Sequence, residues 1–280
     1  MLVVAGLSGL GVAVPDGTPS GTGSVTVRAL RLLEAFTPDR RELTLTELAA
    51  RAGLPLTTTH RLVNDLAGWG AVERDADGRY HIGLRLWEIA SLAPRGLGLR
   101  EAALPFLEDL FQVTQENVQL AVREGFEVVY VERIAGHSAV PVLTRVGGRF
   151  AMPPTGVGLV LLAHAPTDVQ EAVLDAPLQR FTERTITSAR ELRRVLAEVR
   201  RTGIAISDRQ VTMDALSIGA PVYGPTGDVV AAVSIVVRAP RPQRAGLIPV
   251  VRAAARGISR ALRAPALPAA RPPRRDPGPE

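Results

Sequence analysis

One stretch decides the fold of the first domain: Thr44-Leu45-Thr46-Glu47-Leu48-Ala49-Ala50-Arg51-Ala52-Gly53-Leu54-Pro55, followed by a helical run to about Gly68. Thr44 and Glu47 have the S/T-x-x-E spacing of a capping box, in which each side chain satisfies a free backbone amide of the other residue. The short helix that this box opens is expected to end at Gly53, because glycine readily adopts the left-handed C-cap conformation. Leu54-Pro55 then starts a further helix. The layout is that of a helix-turn-helix.

The neighbouring sequence completes this domain. An earlier helix is predicted after Ser24, a good N-cap, and it is expected to end at Pro38. Behind the helix-turn-helix, Ala71–Arg74 and Arg79–Ile82 alternate in polarity around a turn with the composition of a short hairpin. Three helices followed by a β-hairpin predict a winged helix-turn-helix.

The third helix carries the candidate DNA-reading residues. In a helix-turn-helix, the N-terminal residues of the second helix of the motif enter the major groove, where each base pair presents its own donor and acceptor pattern. We expect Leu62, Val63 and Leu66 to form the buried face, which leaves the polar side chains for DNA. The candidates are Thr57, Thr58, Thr59, His60, Arg61 and Asn64 on the helix, and Arg74, Arg79 and His81 on the wing. A small helical cap with solvated polar positions is the alternative interpretation.

The net charge gives no support to the DNA hypothesis. All 33 basic residues are arginine, and residues 1–251 contain 26 Arg and 26 Asp or Glu. The whole net charge of +5 therefore lies in residues 252–280. A DNA argument has to rest on local geometry instead.

The second half of the chain mixes helices with strands. A helix is expected from about Leu99, a small-residue helix over Thr155–His164, a helix opened by a second capping box at Ser188–Glu191, and a last helix over Ala245–Leu262. The predicted strands are Asn117–Arg123, Phe126–Ile134, Val140–Leu143, Ile204–Ser207, Leu216–Val222 and Val229–Val237. The fold class predicted for the whole chain is α+β.

These motifs resemble those of the IclR (isocitrate lyase regulator) family. The resemblance is carried by Leu43–Pro55, by Thr58-Thr59-His60-Arg61-Leu62-Val63 and by Tyr80–Leu86. In the second half it continues through Asn117–Gly125, Val128–Glu132, Thr185–Ser188 and Gly203–Val222 in family order. It covers about residues 24–262.

The resemblance implies a regulator, usually a repressor of small-molecule catabolism, that binds pseudopalindromic operator DNA as a homodimer or dimer of dimers. It also implies a GAF-like effector domain, an antiparallel sheet flanked by helices, with a small-molecule pocket beside Met152–Leu159. The effector-binding residues expected there are Met152, Thr155, Gly156, Val157, Ser207, Leu216, Ser217 and Ser234.

The chain departs from the family pattern in and around this pocket. Where family members often carry a lysine, this chain has Leu159, and Ser217 stands where cysteine is frequent. A mostly apolar pocket with a few hydroxyls fits a small organic acid or an aromatic better than a phosphorylated sugar.

Several other classes of protein are not favoured. The chain has no cysteine, and its four histidines lack ligand-like spacing, so we expect no metal and no cofactor. No paired nucleophile and base stands out, which argues against an enzyme. No apolar run approaches the length of a membrane span, and Met1–Val14 lacks the basic start of an export signal, so a cytoplasmic location is expected. Two alternatives stay open, namely an enzyme with turnover in the C-terminal domain and a ligand sensor that binds protein instead of DNA.

The predicted domain organisation follows from these segments. We expect Leu84–Ala90 to form an amphipathic connector whose apolar stripe, with Trp87, suits contact with a second copy of the chain, although such a stripe is more often core. The predicted parts are a flexible leader (1–23), the winged helix-turn-helix (24–83), a linker helix (84–98), an effector and oligomerisation domain (99–263) and a disordered tail (264–280).

Overall fold

A computed structural model of the chain describes residues 23–93, 98–240 and 244–264. The chain divides into two compact units, with the boundary after residue 97. The predicted leader up to residue 22 and the predicted tail from residue 265 lie outside the described residues. No helix in the described ranges is both long enough and apolar enough to cross a membrane.

The N-terminal unit is the predicted winged helix-turn-helix. Its helices are α1 (Val25–Glu34), α2 (Leu45–Ala52), α3 (Leu56–Trp69) and α4 (Leu84–Ala90), and its hairpin strands are β1 (Val72–Arg74) and β2 (Tyr80–Ile82). Leu43 extends this hairpin, because its backbone exchanges hydrogen bonds with Tyr80 in both directions, at 2.9 and 2.7 Å.

The capping chemistry read from the sequence is present. The backbone amide of Glu47 donates to Thr44 Oγ1 at 3.3 Å, and the amide of Thr44 donates to Glu47 Oε2 at 2.8 Å. Gly53 ends α2 with a φ of 64°, a left-handed conformation that glycine adopts without a Cβ clash. Both ends of α2 are thus fixed locally, and the turn into α3 is short.

A small core joins the three helices to the wing. Its fully buried side chains include Leu32, Leu48, Leu62, Val63 and Tyr80. α3 packs Leu62 and Val63 against this core because the two positions share one helical face. The opposite face of α3 stays exposed.

Among its described residues, the C-terminal unit contains one sheet, five α-helices and a 3₁₀ helix at Arg244–Leu247. The helices are α5 (Leu99–Thr114), α6 (Gly156–Ala163), α7 (Thr167–Asp175), α8 (Ala189–Thr202) and α9 (Ile248–Arg263). The strands are β3 (Asn117–Glu124), β4 (Glu127–Ile134), β5 (Arg149–Ala151), β6 (Ala205–Asp208), β7 (Ala215–Tyr223) and β8 (Val229–Arg238). The α+β fold class is therefore confirmed.

All six strands pair antiparallel in the order β5-β4-β3-β8-β7-β6. One face of the sheet packs on α5 and α9, and the other packs on α6 and α8, with α7 lying against these two helices. Because helices cover both faces, the middle of each central strand is buried and reads as a nearly continuous apolar run.

Three details differ from the sequence prediction. Val140–Leu143 does not form a strand, and the edge strand of the sheet is the short Arg149–Ala151 instead. Helix α7 was not predicted. At α8 the Ser188 half of the predicted capping box is present, with the Glu191 amide donating to Ser188 Oγ at 3.4 Å.

Candidate DNA interface and effector pocket

The recognition helix α3 presents most of the predicted polar residues to solvent. Thr57, His60, Arg61 and Asn64 are exposed, and Thr58 is partly exposed. The guanidinium of Arg61 lies 3.5 Å from the Asp65 carboxylate, with 58% of the Arg61 side chain accessible. Such a surface ion pair is weak, so it leaves Arg61 available to a phosphate or a base edge.

Thr59 is a correction to the predicted interface. It is fully buried, and its hydroxyl donates to the Pro55 carbonyl at 3.1 Å. The reason is helical periodicity, because Thr59 stands three and four residues before Leu62 and Val63 and shares their inward face. Thr59 stabilises the first turn of α3 and cannot contact DNA.

The wing residues project from both faces of the hairpin. Arg74 lies over the ring of Tyr80, 5.5 Å from its centroid, and also donates to the Gly78 carbonyl. Arg79 and His81 point to the other face, because alternate residues of a strand face opposite sides. There His81 Nε2 lies 3.5 Å from a Glu73 carboxylate oxygen.

Arg79 belongs to a cleft of mixed charge around the start of α2, in which Arg40, Arg41 and Arg79 lie with Asp39, Glu42 and Glu47. Its guanidinium lies 3.6 Å from Glu47, and Arg40 lies 4.0 Å from the same carboxylate. Hydrogen bonds from the amide and hydroxyl of Thr44, helped by the charges of Arg79 and Arg40, lower the pKa of Glu47. Arg41 lines the same cleft. Arg40 and Arg41 were not among the residues predicted from the sequence, although they form an adjacent pair just before the capping box.

In the C-terminal unit, a small pocket opens on the sheet face that also carries α6. Its apolar walls are Val142, Leu143, Pro154, Val211, Ala215 and Val236. Its polar lining is Gln119, Tyr130, Thr144, Thr155, Ser207, Thr212 and Ser217. None of these described lining residues carries a formal charge, so the pocket offers hydrogen bonds in an uncharged setting.

Irregular segments close this pocket, and sheet side chains hold them in place. Gln119 Nε2 donates to Thr144 Oγ1 at 2.5 Å, and the buried Asn117 donates to the Val140 carbonyl at 2.7 Å. On the other side, the Ser207 hydroxyl donates to the Pro154 carbonyl at 2.6 Å. The segment predicted as the strand Val140–Leu143 is thus one wall of the pocket.

Tyr130 is the largest polar group in the pocket. It is almost fully buried, and this burial raises the pKa of its phenol more than a hydrogen bond with Thr155 lowers it. The phenol therefore stays protonated and can donate or accept a hydrogen bond. Thr155 also caps α6, accepting from the Gly158 amide at 3.0 Å.

The structure places three of the eight predicted effector residues at the pocket surface: Thr155, Ser207 and Ser217. Leu216 was predicted to line the pocket but does not. Successive side chains of a strand alternate, so Ser217 faces the pocket while Leu216 enters the core against α5 and α9.

The other predicted residues lie beneath the pocket. Met152, just before α6, and Val157, on α6 itself, are packed in the core on this face of the sheet. Gly156 presses its backbone against β7, where a Cβ on Gly219 would come within 2.7 Å of the Gly156 carbonyl. Ser234 pairs with Gly219 and Gln119, is fully buried, and has no hydrogen-bond partner for its hydroxyl among the described residues.

Four polar lining residues were not predicted from the sequence: Gln119, Tyr130, Thr144 and Thr212. A signal existed for Gln119, because it is a polar residue at an inward position of the otherwise apolar strand β3. The residues between regular elements gave no such signal, since their position depends on which sheet groups bind them.

Together these sites define a DNA-binding transcription regulator with a separate effector-binding domain. The model of the IclR helix-turn-helix domain matches residues 25–76, and the model of the bacterial transcriptional regulator IclR C-terminal domain matches residues 93–260. The chain belongs to the IclR family, and the resemblance seen in the sequence is confirmed.

Known relatives agree with this assignment. The chain is 32% identical over 210 residues to the HTH-type transcriptional regulator BhcR of Paracoccus denitrificans, covering 74% of this chain and 75% of that protein. It is 31% identical to the HTH-type transcriptional repressor AllR of Klebsiella pneumoniae, over 84% of this chain and 88% of the repressor. These relatives are regulators and not enzymes.

A solved structure is also similar. It is an IclR homologue from Microbacterium hydrocarbonoxydans in complex with 4-hydroxybenzoate, with a TM-score of 0.82 and 38% identity. The match covers 86% of this chain and 99% of that one.

Because Thr59 is buried and Thr57 is exposed, we expect substitutions at the two positions to affect stability and DNA binding, respectively. Thr59→Val removes the bond to the Pro55 carbonyl while keeping the shape, and we expect it to lower the free energy of unfolding by about 1 kcal/mol. Thr57→Ala, at an exposed position of the same turn, should leave stability within about 0.5 kcal/mol and weaken DNA binding. Thermal unfolding and DNA titration of both variants check this. The assignment fails if Thr59→Val weakens DNA binding while its stability is unchanged.

Proposed function

We propose that this protein represses genes for small-molecule catabolism by occupying operator DNA as a dimer, and that a small organic effector controls this occupancy. One observation carries the proposal: α3 buries its apolar face and leaves a continuous polar face, with Arg61 and Asn64, open to solvent. A face of this kind at the second helix of a helix-turn-helix suits the major groove. We place the protein in the cytoplasm, where its DNA would lie.

Phosphate contacts would come from the groups around α3. Arg74 on the wing and the cluster of Arg40, Arg41 and Arg79 are candidates for positioning contacts, which hold the protein on the duplex without reading sequence. The Glu47 carboxylate already compensates part of the charge of Arg40 and Arg79. We therefore assign the larger sequence-dependent role to α3.

Arg61 and its neighbour Asp65 provide a sharp test. We expect Arg61→Ala to weaken binding to the operator by about 1–3 kcal/mol, because it removes a base or phosphate contact. Asp65→Ala should leave operator binding equal or tighter, because it frees Arg61 and removes a negative charge. The measurement is a titration of wild type and both variants onto DNA flanking the protein's own gene, at two salt concentrations, with unrelated DNA as control.

The same two variants also test whether Arg61 has only a structural role. If Arg61 only pairs with Asp65, both substitutions will change binding equally, and the assigned DNA face is wrong. Wild-type binding that is weak and equal for flanking and unrelated DNA, with and without effector, would favour the protein-binding sensor instead.

The dimer is proposed from an apolar surface on the N-terminal unit. Helix α4 has no buried residue, and Leu84 and Trp87 are 63% and 58% exposed. Val25 and Leu30 of α1 are also exposed. A helix that buries nothing gains little from packing, and exposed apolar surface of this kind marks a protein interface. A second copy of the chain would cover it and pair two recognition helices for successive major grooves.

Sedimentation tests this interface. We expect wild type to be at least a dimer at micromolar concentration and Trp87→Glu to shift it toward monomer, because a charge would be buried in the contact. Val113→Glu is the matched control, since Val113 is 71% exposed on α5 in the other unit. A stable wild-type monomer, or equal dissociation of both variants, contradicts the proposal.

The pocket in the C-terminal unit is proposed as the effector site. Apolar walls with hydroxyl and amide groups suit a small aromatic ring that carries a hydroxyl or a single acid group. A phosphate dianion would find no cation among the described lining residues, so its desolvation would go uncompensated. The structurally similar homologue in complex with 4-hydroxybenzoate makes this compound the first probe.

Adjacent residues of β7 provide the matched pair for this test. Ser217→Ala removes a lining hydroxyl, and we expect it to weaken 4-hydroxybenzoate binding by about tenfold, the equivalent of one hydrogen bond. Leu216→Val should destabilise the core while leaving affinity unchanged, because Leu216 faces the opposite side of the sheet. Calorimetry and thermal unfolding measure both. Tight binding of a sugar phosphate by wild type would overturn the ligand class.

A further inference from the structure

Helix α9 carries a row of arginines along its solvent side. Arg252, Arg256, Arg260 and Arg263 follow each other at intervals of four, four and three residues, and this spacing places them on one helical face. The opposite face enters the core through Val251, Ala255 and Ile258. Residues 244–264 contain no Asp or Glu, so the helix supplies no carboxylate to neutralise this row. We call these four residues the arginine stripe.

The stripe borders a cleft formed with the end of α8 and with β7. Thr202, Gly203 and Tyr223 line the side facing the arginines. The two outer arginines are engaged by backbone carbonyls: Arg252 donates to Thr202 at 3.1 Å, and Arg263 donates to Gly224 at 3.3 Å. These bonds fix the side chains but leave their charges uncompensated.

The two inner arginines have no partner in the described part of the chain. Arg256 and Arg260 are exposed and form neither a hydrogen bond nor an ion pair with a described residue. Two arginines of α8 differ from them. Arg193 makes two bonds to Glu171, at 2.8 and 2.6 Å, and Arg201 makes two to Glu198, at 3.0 and 2.6 Å. These two charges are compensated by carboxylates, whereas those of Arg256 and Arg260 are not.

The arrangement of the stripe indicates the kind of anion. A small anion needs donors that converge in a buried site, whereas Arg256 and Arg260 are exposed and lie about 6 Å apart along the helix axis. A row of exposed, uncompensated charges instead suits a linear polyanion, whose bound counterions it would release. The sequence adds Arg271, Arg274 and Arg275 after this helix, and residues 252–280 carry the whole net charge of +5.

We propose that the arginine stripe of α9 is a second DNA-contacting surface, which binds the phosphate backbone of double-stranded DNA without reading its sequence. Guanidinium groups suit phosphate oxygens because their planar donors can bind two oxygens at once. The stripe lies in the C-terminal unit, so its contribution is separate from operator recognition by α3. The proposal holds whether the stripe contacts the same duplex that α3 reads or a different one.

The test compares two double variants of the full chain that lose the same charge. Arg256→Gln with Arg260→Gln removes the two unpartnered arginines of the stripe, and Arg193→Gln with Arg201→Gln removes two ion-paired arginines of α8. Binding to a duplex of about 30 base pairs without operator sequence is followed by fluorescence anisotropy across a salt series. For the stripe variant we expect roughly tenfold weaker binding at low salt and a salt slope smaller by about two, since each neutralised phosphate contributes about 0.9 to that slope.

The control variant should bind close to wild type, and both should unfold at the wild-type temperature, because glutamine is a good helix former at exposed positions. The single variant Arg260→Gln should show about half of the slope change of the double variant. This graded effect would not be expected if the double variant were simply misfolded. An unchanged affinity and slope for the stripe variant, or equal losses for both double variants, overturns the proposal.

Discussion

Burial of the central sheet on both faces is the constraint on which the C-terminal unit depends. Because α5 and α9 cover one face and α6 and α8 the other, the side chains in the middle of β3, β7 and β8 enter one of two interiors. Leu216 and Ile218 enter the closed core, while Ser217 and Gly219 face α6. The smallness of these last two residues lets the α6 backbone approach the sheet, and the pocket opens where the sheet continues beyond α6. Core and ligand site are thus opposite sides of the same strands.

The N-terminal unit depends on a more local constraint. Thr44, Glu47 and Gly53 fix both ends of α2 through backbone hydrogen bonds and a left-handed C-cap, so the turn before α3 has little freedom. The wing is tied in by the backbone pairing of Leu43 with Tyr80. The Leu43–Tyr80 pairing is a long-range contact, whereas the capping bonds join groups close in sequence, so they can be recognised as spacing patterns. This is why the helix-turn-helix was predictable almost element by element.

The candidate effector pocket shows where prediction from sequence ends. Resemblance to the family pointed to Thr155, Ser207 and Ser217 among others, and these three line the pocket. Leu216 was assigned to the wrong face, because a one-residue step along a strand reverses the side chain and the register was unknown beforehand. Tyr130 and Thr144 were missed because they reach the pocket through a strand pairing and through an irregular segment. Their positions follow from long-range contacts, such as the Gln119–Thr144 bond, that no local pattern encodes.

The difference between strands and irregular segments also bears on how an effector can act. Ladder hydrogen bonds hold β3, β7 and β8, so the sheet side of the pocket resists change. The segments that close it are held by single side-chain bonds, from Asn117 and Gln119 on one side and from Ser207 on the other. A ligand polar group that competes for the Gln119 amide would exchange one of these bonds for its own. An effector shifts DNA occupancy only through unequal affinity for the two states of the regulator. The closing segments can move without breaking hydrogen bonds between strands. They are therefore the part of the pocket where two states can most easily differ in their affinity for an effector.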